Sequence, residues 1–233
     1  MTDSMNTLLI VDGGDVCRAP IVEFTLQKQL GGAGWLGDLE IESRGLELQD
    51  TTEMCTFAAA RLGASTRALS FSRGHRAAAL DEDVAAAAGL ILTAERPQRS
   101  AVARMAPIAR ARTFTLKEAL VLVSVLTDEV RAGTARRPTG LVELAELLHD
   151  IRGSIPLIEP PLKTSVFHRD RALPAADPLT LVDGHDDAGL HRHATDETYQ
   201  VSLTLGSRLV DLAEERLPRV GTGPNDWWWR QHA

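Results

Sequence analysis

An apolar run at residues 7–11, Thr-Leu-Leu-Ile-Val, leads into Asp12-Gly13-Gly14-Asp15 and then into Arg18-Ala19-Pro20, where a helical pattern opens. Few architectures accept this order. A short apolar run without alternation reads as a strand covered on both faces. The glycines after it permit a tight turn. Proline in the first turn of the following element is tolerated, because the N–H it lacks has no intrahelical partner there. Over Ala19–Leu30, apolar residues at Ile21, Val22, Phe24, Leu26 and Leu30 give a helix that Gly31, Gly32 and Gly34 stop. A buried strand feeding a helix through a glycine turn is half of a βαβ unit, so a parallel partner strand must follow.

The rest of the chain supplies the partners. Leu39–Ser43 suits a second strand, and Thr52–Leu62 a second helix ended by Gly63. Asp81 is placed to cap a short helix over Glu82–Ala88, and Gly89 breaks into a strand at Leu90–Thr93. Glu95–Met105 reads as a helix with Pro97 in its first turn. Thr113–Thr115 is a short strand, followed by a helix from Leu116 to about Arg131. Repeated βα units imply a parallel sheet with helices on both faces. Ligands in such sheets sit at the carboxyl ends of the strands, which is where residues 12–18 fall.

A strand-to-helix turn of this kind aims backbone N–H groups into a common nest, and the helix adds its positive end. Gly13, Gly14, Asp15, Val16, Cys17 and Arg18 are therefore the candidate anion-binding residues, with Arg18 able to grip a tetrahedral oxyanion through two nitrogens. Asp12 is the anomaly. A carboxylate at the base of such a loop places negative charge at contact distance from any bound phosphate. Two readings of Asp12 stand: it fills part of the anion site and pairs with Arg18, or it caps the next helix in an ordinary βα turn. Asp15, if charged, opposes phosphate further.

The stretch Leu8–Val11 followed by Asp12-Gly13-Gly14-Asp15-Val16-Cys17-Arg18-Ala19-Pro20 resembles the signature of the low-molecular-weight protein tyrosine phosphatases, an apolar strand and then Cys-x-Gly-Asn-x-Cys-Arg-Ser-Pro. Gly14, Cys17, Arg18 and Pro20 match; Asp12 stands at the nucleophile position, Asp15 replaces Asn and Ala19 replaces Ser. The likeness continues in His75-Arg76-Ala77 with Leu80, in Asp83-Val84-Ala85, in Leu90–Thr93 and across 104–116, including variants common in actinobacterial members. It closes on Thr195-Asp196-Glu197-Thr198-Tyr199 leading into an amphipathic helix. The resemblance implies a three-layer α/β fold: a twisted parallel sheet of about four strands in the flavodoxin-like order 2-1-3-4, with helices on both faces.

It also implies what the site would need. The family's nucleophile is a thiolate whose pKa the loop's positive field depresses, and its general acid is an Asp in an Asp-Pro pair before the last helix. Asp177-Pro178 is the literal pair. Counting back from Tyr199 at the family's spacing lands instead on Leu190-His191, where no carboxylate stands. Asp186 and Asp187 lie close by, with Asp187 as a displaced acid, and Asp177-Pro178 then reads as a turn. Cys17 occupies the place of a second Cys that shelters the nucleophile as a disulfide; with no Cys at 12 that role is void, and its sulfur is expected to point away from in-line attack. Cys55 reads as helix packing.

The expected protein is thus a catalytically impaired, pseudophosphatase-like one acting by binding a phosphate-like anion, a phosphoprotein or another protein. One alternative is an active phosphomonoesterase using Asp12 or Cys17 as nucleophile; an aspartyl-phosphate enzyme needs a second Asp two residues on and Mg²⁺, and that position is Gly14. The other is a structural oligomerisation module. No cofactor is expected and no metal. His185, His191 and His193 among Asp183, Asp186 and Asp187 match no closed zinc spacing and read as a solvated acidic loop.

At 233 residues the chain fits one elaborated domain. Residues 1–131 form the phosphatase-like core, 132–176 an insertion, 177–220 the acid loop and closing helix, and 221–233 a Trp-rich tail. The insertion carries an amphipathic helix at Leu141–Leu148 and an extended crossing at Pro156, Pro160 and Pro161. It and Trp227–Trp229 are the candidate homodimer contacts. Net charge of −7 argues against nucleic-acid binding. Two cysteines make no disulfide framework and suit the cytoplasm. No stretch has the length of a membrane span or the pattern of a signal peptide.

Overall fold

Leu8 and Ile10 of β1 (Thr7–Asp12) pack into one hydrophobic cluster, Leu9 and Val11 into another, and all four are buried. A strand whose side chains alternate between two faces and expose neither requires helices on both sides. The computed structural model describes residues 4–154, 177–184 and 188–214. In it β2 (Glu40–Gly45) and β3 (Leu90–Thr93) flank β1 in parallel, and β4 (Thr113–Thr115) pairs in parallel with β3, giving the order β2-β1-β3-β4.

One layer is built by α1 (Arg18–Leu30), α6 (Leu116–Ala132), α7 (Leu141–Ile151) and α8 (Ala188–Ala213), whose apolar faces meet Leu8, Ile10, Leu90, Leu92 and Phe114. On the other face α4 (Glu82–Ala87) and α5 (Arg96–Met105) cover Leu9, Val11 and Ile91. Helices α2 (Thr56–Leu62) and α3 (Thr66–Gly74) belong to a third apolar cluster with Val16, Cys17 and Ile21, beside the loop that follows β1. No helix among the described residues is long and apolar enough to cross a membrane.

Local chemistry sets the helix ends. Asp81 Oδ1 accepts the N–H of Val84 at 2.8 Å. Thr115 and Glu118 form a reciprocal capping box at the start of α6. Gly133 closes α6 in the left-handed conformation (φ 73°).

Several elements differ from the sequence expectation. Helix α2 starts at Thr56 rather than Thr52, because Thr52 and Glu53 are extended: the Thr52 carbonyl takes the N–H of Ala77, and Glu53 bridges to Arg76. Helix α3 was not expected; Ala68 is its buried residue, and a partly buried Phe71 ties it to the third cluster. Helix α8 starts at Ala188, so Thr195–Tyr199 lies inside it and does not precede it. Within the insertion, α7 runs three residues past Leu148 and contributes Leu141, Leu144, Ala145 and Leu148 to the main core. Pro156, Pro160, Pro161 and Trp227–Trp229 lie outside the described residues.

Candidate functional site

The loop between β1 and α1 is pinned through its carbonyls. Those of Asp12, Gly13 and Val16 accept the N–H groups of Leu46, Glu47 and Cys55 at 3.0, 2.8 and 2.8 Å. Gly45 at the end of β2 permits this approach: a Cβ there would stand 2.9 Å from the Gly14 carbonyl carbon and 3.2 Å from the Asp15 nitrogen. The loop residue in left-handed geometry is Asp15 (φ 56°), neither glycine of the pair. Aspartate tolerates that region better than most residues.

Asp12 points into this loop. Its Oδ1 accepts the Asp15 N–H at 2.5 Å and its Oδ2 the Ala19 N–H at 3.1 Å, with the side chain buried. Ala19 is the second residue of α1, so this carboxylate caps the helix from five residues upstream of Cys17, which gives no side-chain cap of its own. The expected ion pair between Asp12 and Arg18 is not formed.

Arg18 turns instead toward the end of β3. Its Nη1 donates to Glu95 Oε1 at 2.5 Å and its Nη2 to Asp183 Oδ2 at 3.2 Å, with the Leu181 and Val182 carbonyls 3.5 Å from Nη1. Burial works against the guanidinium's charge, but the carboxylates of Asp12, Asp183 and Glu95 outweigh it and raise its pKa. Glu95 is held in turn by Gln98, which accepts the Glu95 N–H at 2.9 Å and lies 3.3 Å from its Oε1. The segment carrying Asp183 is tied down by the Leu181 N–H on the Ala94 carbonyl (2.9 Å) and by Glu197, which accepts from Val182 and pairs with Lys117 at 2.7 Å. Sequence reasoning missed Glu95 altogether. The rule that site residues collect at the carboxyl ends of parallel strands nominates it, two positions past β3.

Asp15 is a second buried carboxyl in the loop. Burial pushes its pKa up to about 6, although its Oδ2 accepts the Ala78 N–H at 3.1 Å. His75 Nε2 donates to the Asp15 carbonyl at 2.7 Å.

The acid candidates fall apart spatially. Asp177 caps its own turn through the Leu179 N–H at 3.0 Å and pairs with Arg96 at 2.9 Å. Leu190 and His191 lie in the first turn of α8, not on a loop. His185, Asp186 and Asp187 lie outside the described residues. Asp183, read from the sequence only as part of a solvated loop, is the described carboxylate of this segment that reaches Arg18. His193 is exposed whereas His191 is buried, so these two do not face one site.

His191 meets the cysteines instead. Its Nε2 is 2.7 Å from Cys17 Sγ and 3.5 Å from Cys55 Sγ, and its ring stacks on Phe57 at a centroid distance of 4.6 Å. Cys55 is more than packing: its sulfur accepts the Ala58 N–H at 3.3 Å as the N-cap of α2. The interaction of the two neighbouring thiols, then burial, raises the Cys17 pKa; the same interaction lowers that of Cys55 to about 6. Cationic side chains gather elsewhere, around a cavity of about 1090 Å³ bordered by Arg96, Arg99, Arg104, Arg110 and Arg152.

This arrangement, a four-stranded parallel sheet between helical layers, is similar in fold to solved low-molecular-weight phosphatases. The chain superposes on a YwlE mutant from Bacillus subtilis (TM-score 0.51, 14% identity, 87% of this chain and 97% of that one). It likewise matches the tyrosine phosphatase AmsI of Erwinia amylovora (0.53, 17%, 90% and 93%) and Wzb of Escherichia coli K30 in complex with sulphate (0.51, 16%, 88% and 96%). No protein-family profile and no curated protein matches the sequence.

Proposed function

We propose that this chain is a pseudophosphatase: a low-molecular-weight phosphatase fold that does not run cysteinyl-phosphate chemistry and acts by binding a protein partner. The observation that carries this reading is the Asp12 carboxylate, which takes the N–H groups of Asp15 and Ala19 from inside the loop. Wzb of E. coli is seen with sulphate and with phosphate. A tetrahedral anion in this loop would meet the Asp12 carboxylate, and Arg18 would have to leave Glu95 and Asp183 to grip it. Both effects favour a protein contact over free phosphate. We place that activity in the cytoplasm, where both thiols stay reduced.

An aspartyl-phosphate route is disfavoured because both Asp12 oxygens are engaged and Gly14 offers no second carboxylate. Cys17 is disfavoured as nucleophile because it is 1% exposed and its thiol is pushed toward the neutral form.

The test is turnover of p-nitrophenyl phosphate, a phosphotyrosine peptide and a phosphoarginine peptide, with and without Mg²⁺, by the native chain and by Asp12→Cys. The native chain should not exceed the buffer rate. Turnover at about 1 s⁻¹ or faster, an ordinary enzyme rate, would overturn the proposal.

A further inference from the structure

Three soft donors from distant parts of the chain converge behind the loop. Cys17 stands at the N-cap of α1, Cys55 at the N-cap of α2 and His191 in the first turn of α8. The donor atoms all lie within 4.8 Å of one another. We propose that Cys17, Cys55 and His191 form a binding site for a thiophilic divalent cation of the zinc class, with three protein donors and a fourth position for a further ligand. The proposal does not depend on the pseudophosphatase reading and would stand if the loop proved active.

The distances suit such an ion. Zn–S bonds of about 2.3 Å and a Zn–N bond of about 2.0–2.1 Å at a tetrahedral angle set sulfur and nitrogen roughly 3.5 Å apart. Cys55 Sγ and His191 Nε2 are 3.5 Å apart. Cys17 Sγ, at 2.7 Å from the same nitrogen, has to open by less than about 1 Å to reach that separation. Two sulfurs and an imidazole, with no carboxylate oxygen among them, select zinc-like ions over Mg²⁺ or Ca²⁺. Two thiolates would also balance the charge of a divalent ion.

The surroundings support the same assignment. Val16, Ile21, Met54, Ala58 and Ala77 make an apolar shell around the cysteines, which keeps water from competing for the donors. The Phe57 ring fixes the imidazole plane. Cys17 and His191 are buried, while Cys55 is partly exposed and gives the ion a way in. A bound ion would fasten the end of the loop, next to Arg18, to α2 and α8 at once. No spacing in the sequence suggests this, because the three ligands are separated by 38 and 136 positions.

The experiment uses the full chain, reduced and stripped with a chelator, then titrated with Zn²⁺ and separately with Co²⁺. One equivalent should be retained per chain by elemental analysis. The cobalt form should show thiolate-to-metal charge transfer and the intense visible bands of tetrahedral coordination, and Mg²⁺ should produce neither. Cys55→Ser and His191→Ala should each weaken apparent affinity by more than about 100-fold, beyond what loss of a supporting contact costs. Zn²⁺ should raise the Tm of the native chain and not that of Cys55→Ser, which reads the site even where a variant folds poorly. Failure to retain an equivalent, cobalt binding without the thiolate band, or full affinity in Cys55→Ser would each overturn the proposal. So would isolation of the chain as a Cys17–Cys55 disulfide that takes up no ion after reduction. Each readout is independent of phosphatase turnover, so the two proposals fail separately.

Discussion

Arg18 Nη1 and Glu95 Oε1 are 2.5 Å apart, with the arginine side chain 5% exposed and the glutamate 21%. The second partner, Asp183, is 54% exposed. The two carboxylates therefore contribute unequally. Losing one partner of a largely buried pair leaves a desolvated charge behind, whereas half-exposed pairs contribute little. Glu95→Gln should cost about 2 kcal/mol after allowance for its partial exposure. That is a fall in Tm of roughly 4–8 °C for a chain of this size. Asp183→Asn should cost less than about 1 kcal/mol. Thermal melts of both variants check the order, and an equal loss would show that Asp183 anchors Arg18 as firmly as Glu95 does.

The same loop makes a prediction about anions. A unit negative charge about 4 Å from a bound phosphate repels it by roughly 4 kcal/mol at an effective dielectric constant of 20. Asp12→Asn keeps an acceptor oxygen for one of the two N–H groups, of Asp15 or of Ala19, and removes the charge. Inorganic phosphate affinity, read by calorimetry, should rise at least about tenfold. Unchanged affinity would mean that Arg18, held by Glu95, is what closes the loop to anions.

Much of this geometry was legible in the chain because it follows from local pattern. Unbroken burial at Leu8–Val11 demanded two helical layers, and Asp81 and Pro97 mark helix starts whose physics is local. The loop was recognisable because glycines, an arginine and a helix start occur within nine residues. What escaped is what depends on tertiary approach. Arg18 chose Glu95, 77 positions away, over Asp12, six positions away. Helix α3 buries Ala68 and sets a partly buried Phe71 against the third cluster, an apolar face of few residues. The meeting of Cys17 with Cys55 and His191 requires α2 and α8 to be placed over the loop first, and no run of residues encodes that.

Gly45 supplies a prediction on the loop's support. An added Cβ would meet backbone atoms at 2.9 and 3.2 Å, and those atoms belong to the loop, so no flexible side chain can yield. Gly45→Ala should destabilise the protein by about 1–3 kcal/mol, the usual cost of overpacking. Denaturant midpoints measure it. A neutral result would show that Gly14 and Asp15 move aside freely, contrary to a loop pinned by three carbonyl hydrogen bonds.

Glu118 carries the pH prediction. It closes the α6 capping box and binds Arg99 at 2.8 Å and Arg152 at 2.8 and 3.1 Å; Arg152 also donates to the Thr113 carbonyl at 2.6 Å and lies over the Phe114 ring. Burial pulls the carboxyl's pKa up, but the hydrogen bonds and charge of Arg152, with Arg99 behind them, prevail and hold it below its ordinary value of 4.5. A folded-state pKa below the unfolded one means that the unfolded chain takes up the proton first. The stabilisation is therefore fully present above the unfolded value and is lost as pH falls through the folded one. Glu118→Gln should be less stable than the native chain at neutral pH, by about 2 kcal/mol for a carboxylate with several charged hydrogen bonds. The gap between the two should shrink steadily in acid below the ordinary carboxylate range. Urea denaturation of both proteins across that range reads it directly, and a gap that stays constant into acid would mean that Glu118 acts through shape alone.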